Sequence, residues 1–254
     1  MKKTLLFSDV HLKAIPEDRA RQEEFVAFLR TISPDEYDTV ICLGDLFDFW
    51  YEYRSVIFSD FFNVLRAFAD LRDQGVALHL ICGNHDFWAG RFLHDDLGFQ
   101  VHPDVMTHSF GALRGHLVHG DGLNPTDTRY RAYKKFARNP YVMGAFRCIH
   151  PDLAMAIARG VSHGSRTLLG TDDPAEGPEA QALRAYGVDV IARDEADVVF
   201  CGHAHAPVIE AVSSEGRTGI YINTGDWLAH RVHTVWDGTR FTQYVNGEAT
   251  TLPE

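Results

Sequence analysis

Val40–Asp48 reads VICLGDLFD. Four apolar residues run to Leu43, the chain breaks at Gly44, and the carboxylate Asp45 follows at once. Such a run suits a strand buried on both faces. Gly44 frees the backbone to turn, which puts Asp45 where the strand opens into a loop. The same texture recurs along the chain. Thr4–Phe7 ends at Ser8-Asp9-Val10-His11, and Val76–Cys82 ends at Gly83-Asn84-His85-Asp86. Leu117-Val118 runs into His119-Gly120-Asp121, and Val198–Cys201 into Gly202-His203-Ala204-His205.

The segments between these strand ends carry helical spacing. Phe25, Phe28, Leu29 and Ile32 recur among charges within Glu17–Ile32, which predicts an amphipathic helix. Phe61, Phe62, Leu65, Phe68 and Leu71 predict a second over Phe58–Gln74, stopped by Gly75. A short helix is expected near Phe92–Leu97 and a longer one over Glu179–Asp194. This β-α-β-α-β order predicts parallel strands joined by right-handed crossovers. From Pro207 onward, alternating runs at Val208–Val212, Gly219–Ile222, His233–Trp236 and Phe241–Val245 predict antiparallel strands.

The chain has 254 residues, 45% of them hydrophobic, and a formal net charge of −11. That length supports one α/β domain with an insertion, and the composition excludes global disorder. The negative charge argues against wrapping nucleic acid, so no nucleic-acid partner is expected. The opening MKKTLLFSD holds too short an apolar run for a signal peptide or a membrane span, which predicts a cytoplasmic protein. Cys42, Cys82 and Cys201 sit in apolar runs and form no CxxC pair, so they are expected to be buried thiols. Charge is segregated: between Leu123 and Gly170 there are eight Lys/Arg against Asp127 and Asp152.

Singly, the strand-end motifs are weak signals. Together they put imidazole, carboxylate and amide oxygen donors, without thiolate, at one edge of a sheet. That donor set suits Mn²⁺, with Fe²⁺ or Zn²⁺ as alternatives. Two ions about 3.5–4 Å apart need an anionic ligand between them, and a carboxylate such as Asp45 supplies it.

The five motifs resemble those of the calcineurin-like binuclear metallophosphoesterases. The resemblance implies an α/β fold, a four-layer αββα sandwich with a helical lid insertion. It implies two divalent metal ions, one held by Asp9, His11, Asp45 and His205, the other by Asp45, Asn84, His119 and His203. His85 would act beside the phosphate, and Asp86 would accept a hydrogen bond from its ring. The core would be residues 1–122 and 171–254, and the lid 123–170.

Within that superfamily, FSDVHL, GDLFDFW and the insert between HGD and GHxH resemble the UDP-2,3-diacylglucosamine diphosphatases, peripheral membrane enzymes of lipid A biosynthesis. That resemblance implies a nucleotide-linked lipid substrate, cleaved by water at the α-phosphorus to UMP and 2,3-diacylglucosamine 1-phosphate. Substrate contacts would come from Asn84, His85, Asp127, Tyr130, Arg159, Ser162, Ser165 and Arg166. The lid would touch the inner membrane: Tyr130, Tyr133 and Phe136 alternate with cations at helical spacing. One departure is His85, where those enzymes carry Arg. The alternative is a phosphodiesterase or phosphatase acting on a soluble nucleotide or another lipid-linked diphosphate. Trp50, Tyr51 and Tyr53 could line the cleft or pack under the insert, and Asp48 before them would help shape the site.

Overall fold

In the computed structural model, residues 2–156 and 177–252 are described. The strand signals assemble into two sheets. The first has seven strands: β1 (Lys3–Phe7), β2 (Tyr37–Cys42), β3 (Ala77–Ile81), β4 (Phe99–His102), β10 (His233–Trp236), β11 (Phe241–Val245) and β12 (Glu248–Thr251). Their spatial order is β12-β11-β10-β1-β2-β3-β4. The second holds β5 (Val105–Phe110), β6 (Leu113–Val118), β7 (Val198–Cys201), β8 (Val208–Ser214) and β9 (Arg217–Asn223), in the order β5-β6-β7-β9-β8. β1 to β4 are mutually parallel, as the crossover pattern predicts.

Alternation along the central strands builds three apolar layers. Leu5, Phe7, Val40, Cys42, Leu78 and Leu80 face α1 (Arg19–Leu29) and α2 (Phe62–Asp73) through Phe25, Leu29, Val64 and Phe68. Leu6, Ile41, Leu43 and Ile81 point the other way, onto Phe110, Leu117, Phe200 and Ile222 of the second sheet. The outer face of that sheet, with Val199, Cys201 and Tyr221, is covered by Leu183, Val190 and Ile191 of α5 (Pro178–Ala192). Helix, sheet, sheet and helix therefore stack as four layers, the fold class expected. Successive residues of a strand serve opposite layers, which is why the central strands read as unbroken apolar runs.

Three details differ from the sequence reading. Phe62 is 63% exposed; it starts α2 on the solvent side, and Val64 takes its place on the apolar stripe. The tail strands are not all antiparallel, because β9 pairs in parallel with β7 as well as antiparallel with β8. The polar strand β12 has no apolar alternation to announce it and extends the sheet through backbone pairing with β11. α3 (Thr128–Ala137) and α4 (Pro140–Phe146) occupy the first part of the basic insert.

Candidate metal centre

The candidate ligands stand where β1, β2, β3, β6 and β7 end, on one rim of the sandwich. Asp9, His11, Asp45, His203 and His205 all adopt positive φ, between 48° and 64°. Residues with a Cβ seldom do so, and five among the candidate ligands mark a backbone held in costly turns to aim side chains inward. The turns are braced by backbone bonds between neighbouring strand ends. Asp9 N–H donates to the Gly44 carbonyl (3.0 Å), His11 N–H to that of Asp45 (2.9 Å), and Gly202 N–H to that of His119 (2.8 Å).

The side chains meet in two groups. In the first, His11 Nε2 lies 3.2 Å from His205 Nε2 and 3.6 Å from Asp9 Oδ1, which is itself 3.3 Å from His205 Nε2. In the second, Asp45, His119 and His203 can bring one ligand atom each within 4.8 Å of one another. Asn84 joins this group, its Oδ1 3.2 Å from His119 Nε2. Asp45 stands between the groups. Its Oδ2 is 3.7 Å from His11 Nε2, 3.4 Å from His119 Nε2 and 4.0 Å from His85 Nε2.

These atoms fit divalent ions on three counts. Asp9 Oδ1 is a buried carboxylate oxygen with no hydrogen-bond partner, although Asp9 Oδ2 accepts His203 N–H at 2.9 Å. His119 Nδ1–H donates to the Leu43 carbonyl at 2.7 Å, which fixes its tautomer and leaves the Nε2 lone pair facing the cluster. Burial works against the charge on Asp9 and Asp45, yet the facing imidazoles outweigh it and hold both carboxyls well below their usual range. Burial likewise opposes the charge on His119, but Asp45 beside it drives the imidazole up. The buried carboxylates thus favour positive charge at their centre, and divalent cations would satisfy that demand in place of protons.

Gly83 shows why the third motif opens with glycine. A Cβ there would stand 2.1 Å from Asp45 Oδ1 and 2.7 Å from the Asp45 nitrogen, so the backbone passes too close to tolerate one. We expect Gly83→Ala to displace the Asp45 carboxylate and lower the affinity for both ions at least about tenfold, the scale of losses from disturbing ligand support. Calorimetric titration of metal-stripped protein with Mn²⁺ measures this, and wild-type affinities would contradict it.

The expected hydrogen bond from the His85 ring to Asp86 is not the one formed. His85 Nδ1–H donates instead to the Asp48 carbonyl at 2.7 Å. Asp86 points inward, completely buried, and its two oxygens accept Gly83 N–H (2.7 Å) and Leu46 N–H (2.8 Å). Asp86 therefore ties the third motif to the Asp45 loop rather than orienting the imidazole. His85 Nε2 still faces the cluster, its ring edge-on to His11 at 4.8 Å between centroids.

Asp127 caps α3 by accepting Tyr130 N–H at 2.9 Å. The Tyr130 hydroxyl donates to Asp121 Oδ2 at 2.8 Å, and Lys134 Nζ lies 3.0 Å from the same oxygen. Tyr130 thereby comes beside His203, with 6.4 Å between ring centroids. Arg159, Ser162, Ser165 and Arg166 lie outside the described residues. Tyr51 and Tyr53 pack under the insert, their hydroxyls donating to the carbonyls of Met143 (2.7 Å) and Ile149 (3.1 Å). Trp50 is buried in the core, stacked on Phe47. Asp226 is a loop cap, accepting Ala229 N–H and pairing with the His230 ring.

Of the residues at the site, Glu179 went unassigned in the sequence, and Asp48 was read only as helping to shape it. Asp48 groups with His11 and His85, and the only hint was its position three residues after Asp45. Glu179 lies 3.6 Å from His203 Nε2, and nothing in the sequence distinguishes it from other helix-start acids.

Comparison with known proteins agrees with this geometry. The model of the calcineurin-like phosphoesterase family matches residues 2–207. A UDP-2,3-diacylglucosamine hydrolase of Porphyromonas gingivalis is 31% identical over 247 residues, covering 91% of this chain and 93% of that protein. One from Xanthomonas campestris pv. campestris is 32% identical over 232 residues, covering 88% and 91%. A dimetal phosphatase from Danio rerio superposes with a TM-score of 0.52 at 13% identity, with 98% of each chain covered, a likeness of fold. With its strand-end cluster and its match over most of the sequence, the chain belongs to the calcineurin-like phosphoesterase family, hydrolases whose family implies a dinuclear divalent-metal site.

Proposed function

We propose that this protein is a diphosphate hydrolase acting on UDP-2,3-diacylglucosamine, releasing UMP and 2,3-diacylglucosamine 1-phosphate. The observation that carries this reading is the similarity to UDP-2,3-diacylglucosamine hydrolases over about nine-tenths of the chain. Asp9, His11, Asp45 and His205 would hold one ion, and Asp45, Asn84, His119 and His203 the other. The mixed imidazole and oxygen donor set supports Mn²⁺. Bound there, the ions supply Lewis acidity and lower the pKa of an attacking water. His85 Nε2 faces the same space and would hold or deliver a proton at the leaving oxygen. The Asp48 carbonyl keeps that nitrogen turned inward.

Residues 123–170 are read as the lid over the substrate. Large exposed apolar side chains in its described part support contact with a lipid surface: Tyr141 is 88% exposed, Phe136 63% and Leu153 56%. Arg131, Lys134, Lys135 and Arg138 line a cavity of about 340 Å³ with Asp104 and Gly122. Apolar side chains beside cations suit acyl chains on one side and anionic head groups on the other. Among the described residues no helix is long and apolar enough to cross a membrane, so the contact would be peripheral.

His85, in place of the Arg of the resembled enzymes, favours a second reading. In it the substrate is a soluble nucleotide diester or another lipid-linked diphosphate. Hydrolysis of detergent-dispersed UDP-2,3-diacylglucosamine in ¹⁸O-water separates the two. The proposal expects rapid turnover with the label in UMP. Label in the lipid product would contradict attack at the α-phosphorus. Efficient turnover of bis(p-nitrophenyl) phosphate with the lipid left intact would favour the second reading.

A further inference from the structure

The first turn of α5 carries a carboxylate that reaches the candidate centre from outside its five motifs. Glu179 Oε1 lies 3.6 Å from His203 Nε2, and Glu179 Oε2 accepts Asn124 Nδ2–H at 2.9 Å. Asn124 is buried, and its own oxygen accepts the backbone N–H of Thr126 (3.0 Å) and the Thr126 hydroxyl (2.7 Å). Those two bonds fix the amide so that its nitrogen must face Glu179. One oxygen of Glu179 is therefore pinned, and the other is directed at a candidate metal ligand.

His203 is constrained on its other sides as well. Its backbone N–H is held by Asp9 Oδ2 at 2.9 Å, and its ring meets that of His119 edge-on at 5.1 Å. With Nε2 turned toward a carboxylate, Nδ1 is the nitrogen left for an ion. A carboxylate accepting the remaining N–H of a ligating imidazole fixes its tautomer, orients the ring and raises its basicity. The separation of 3.6 Å is longer than a formed hydrogen bond. Functional hydrogen bonds are often this long in an unliganded site and tighten once it is filled.

We propose that Glu179 is a positioning residue for the second ion, accepting Nε2–H of His203, and that its bond to Asn124 makes this ligand's orientation depend on how the insert is seated. Asn124 precedes α3 and Glu179 lies in the first turn of α5, so their bond joins the chain entering the insert to the chain leaving it. Loosening either end releases the carboxylate that steadies His203. The inference rests on the reading of His203 as a metal ligand.

Stepwise Mn²⁺ titration of metal-stripped protein tests it without any substrate. Glu179→Gln preserves size and can still accept from Asn124, but it loses the anionic acceptor for His203. Affinity for the second ion should fall about 10- to 100-fold while the first is unchanged. Glu179→Asp should recover part of that loss, and Asn124→Ala should show a smaller loss at the same ion. Circular dichroism should match wild type throughout. Two ions bound by Glu179→Gln at wild-type affinity, or equal weakening of both, would overturn the inference alone. A wild type that takes up fewer than two ions would overturn the binuclear reading and this inference with it.

Discussion

Asp45→Ala should bind neither ion at wild-type affinity. Asp45 Oδ2 reaches imidazoles of both groups, so its removal would take one anionic donor from each of the two proposed sites at once. It also leaves two cations without the charge between them that limits their repulsion. The substitution leaves room rather than creating a clash, so the fold should persist. Turnover should fall by at least about 10³-fold, since Lewis-acid stabilisation is worth several kcal/mol and each 1.36 kcal/mol is a decade in rate. His11→Ala and His119→Ala serve as controls, and each should weaken one ion more than the other. Elemental analysis after gel filtration reads all three variants, and equal loss in all of them would mean that the sharing is wrongly assigned.

His85→Ala should behave differently. The imidazole belongs to neither of the two proposed ligand sets, and its ring is held from behind by the Asp48 carbonyl. Both ions should remain at wild-type affinity while kcat falls about 10²- to 10⁴-fold, the range for removing a general acid or base. The loss should shrink for substrates whose leaving group needs no proton. A p-nitrophenyl ester against an alkyl ester of the same phosphate makes that comparison. Unchanged turnover in a metal-replete His85→Ala sample would remove His85 from the chemistry.

The positions of the candidate ligands were legible because each belongs to a short polar motif ending an apolar run, and strand ends of an α/β sheet gather on one rim. The layers were legible for a related reason: runs such as VICL need cover on both faces. What escaped the sequence depends on direction rather than position. Asp86 follows His85 directly, yet neighbouring side chains diverge, and the carboxylate turns down onto the amides of Gly83 and Leu46. The parallel pairing of β9 with β7 is invisible in an alternating pattern, which reports the buried face and not the neighbour. Glu179 reaches His203 only because α5 packs across the second sheet, a contact with no local signature. The positive φ angles at five candidate ligands are likewise a property of the assembled rim.

The central claim is that one carboxylate serves two ions. Diffraction from crystals of the Mn²⁺-loaded protein, collected on both sides of the manganese absorption edge, tests it most directly. Two anomalous peaks should appear about 3.5–4 Å apart, with the Asp45 carboxylate between them, one against His11 and His205 and the other against His119 and His203. A single peak, or two peaks with Asp45 bound to only one, would contradict the account.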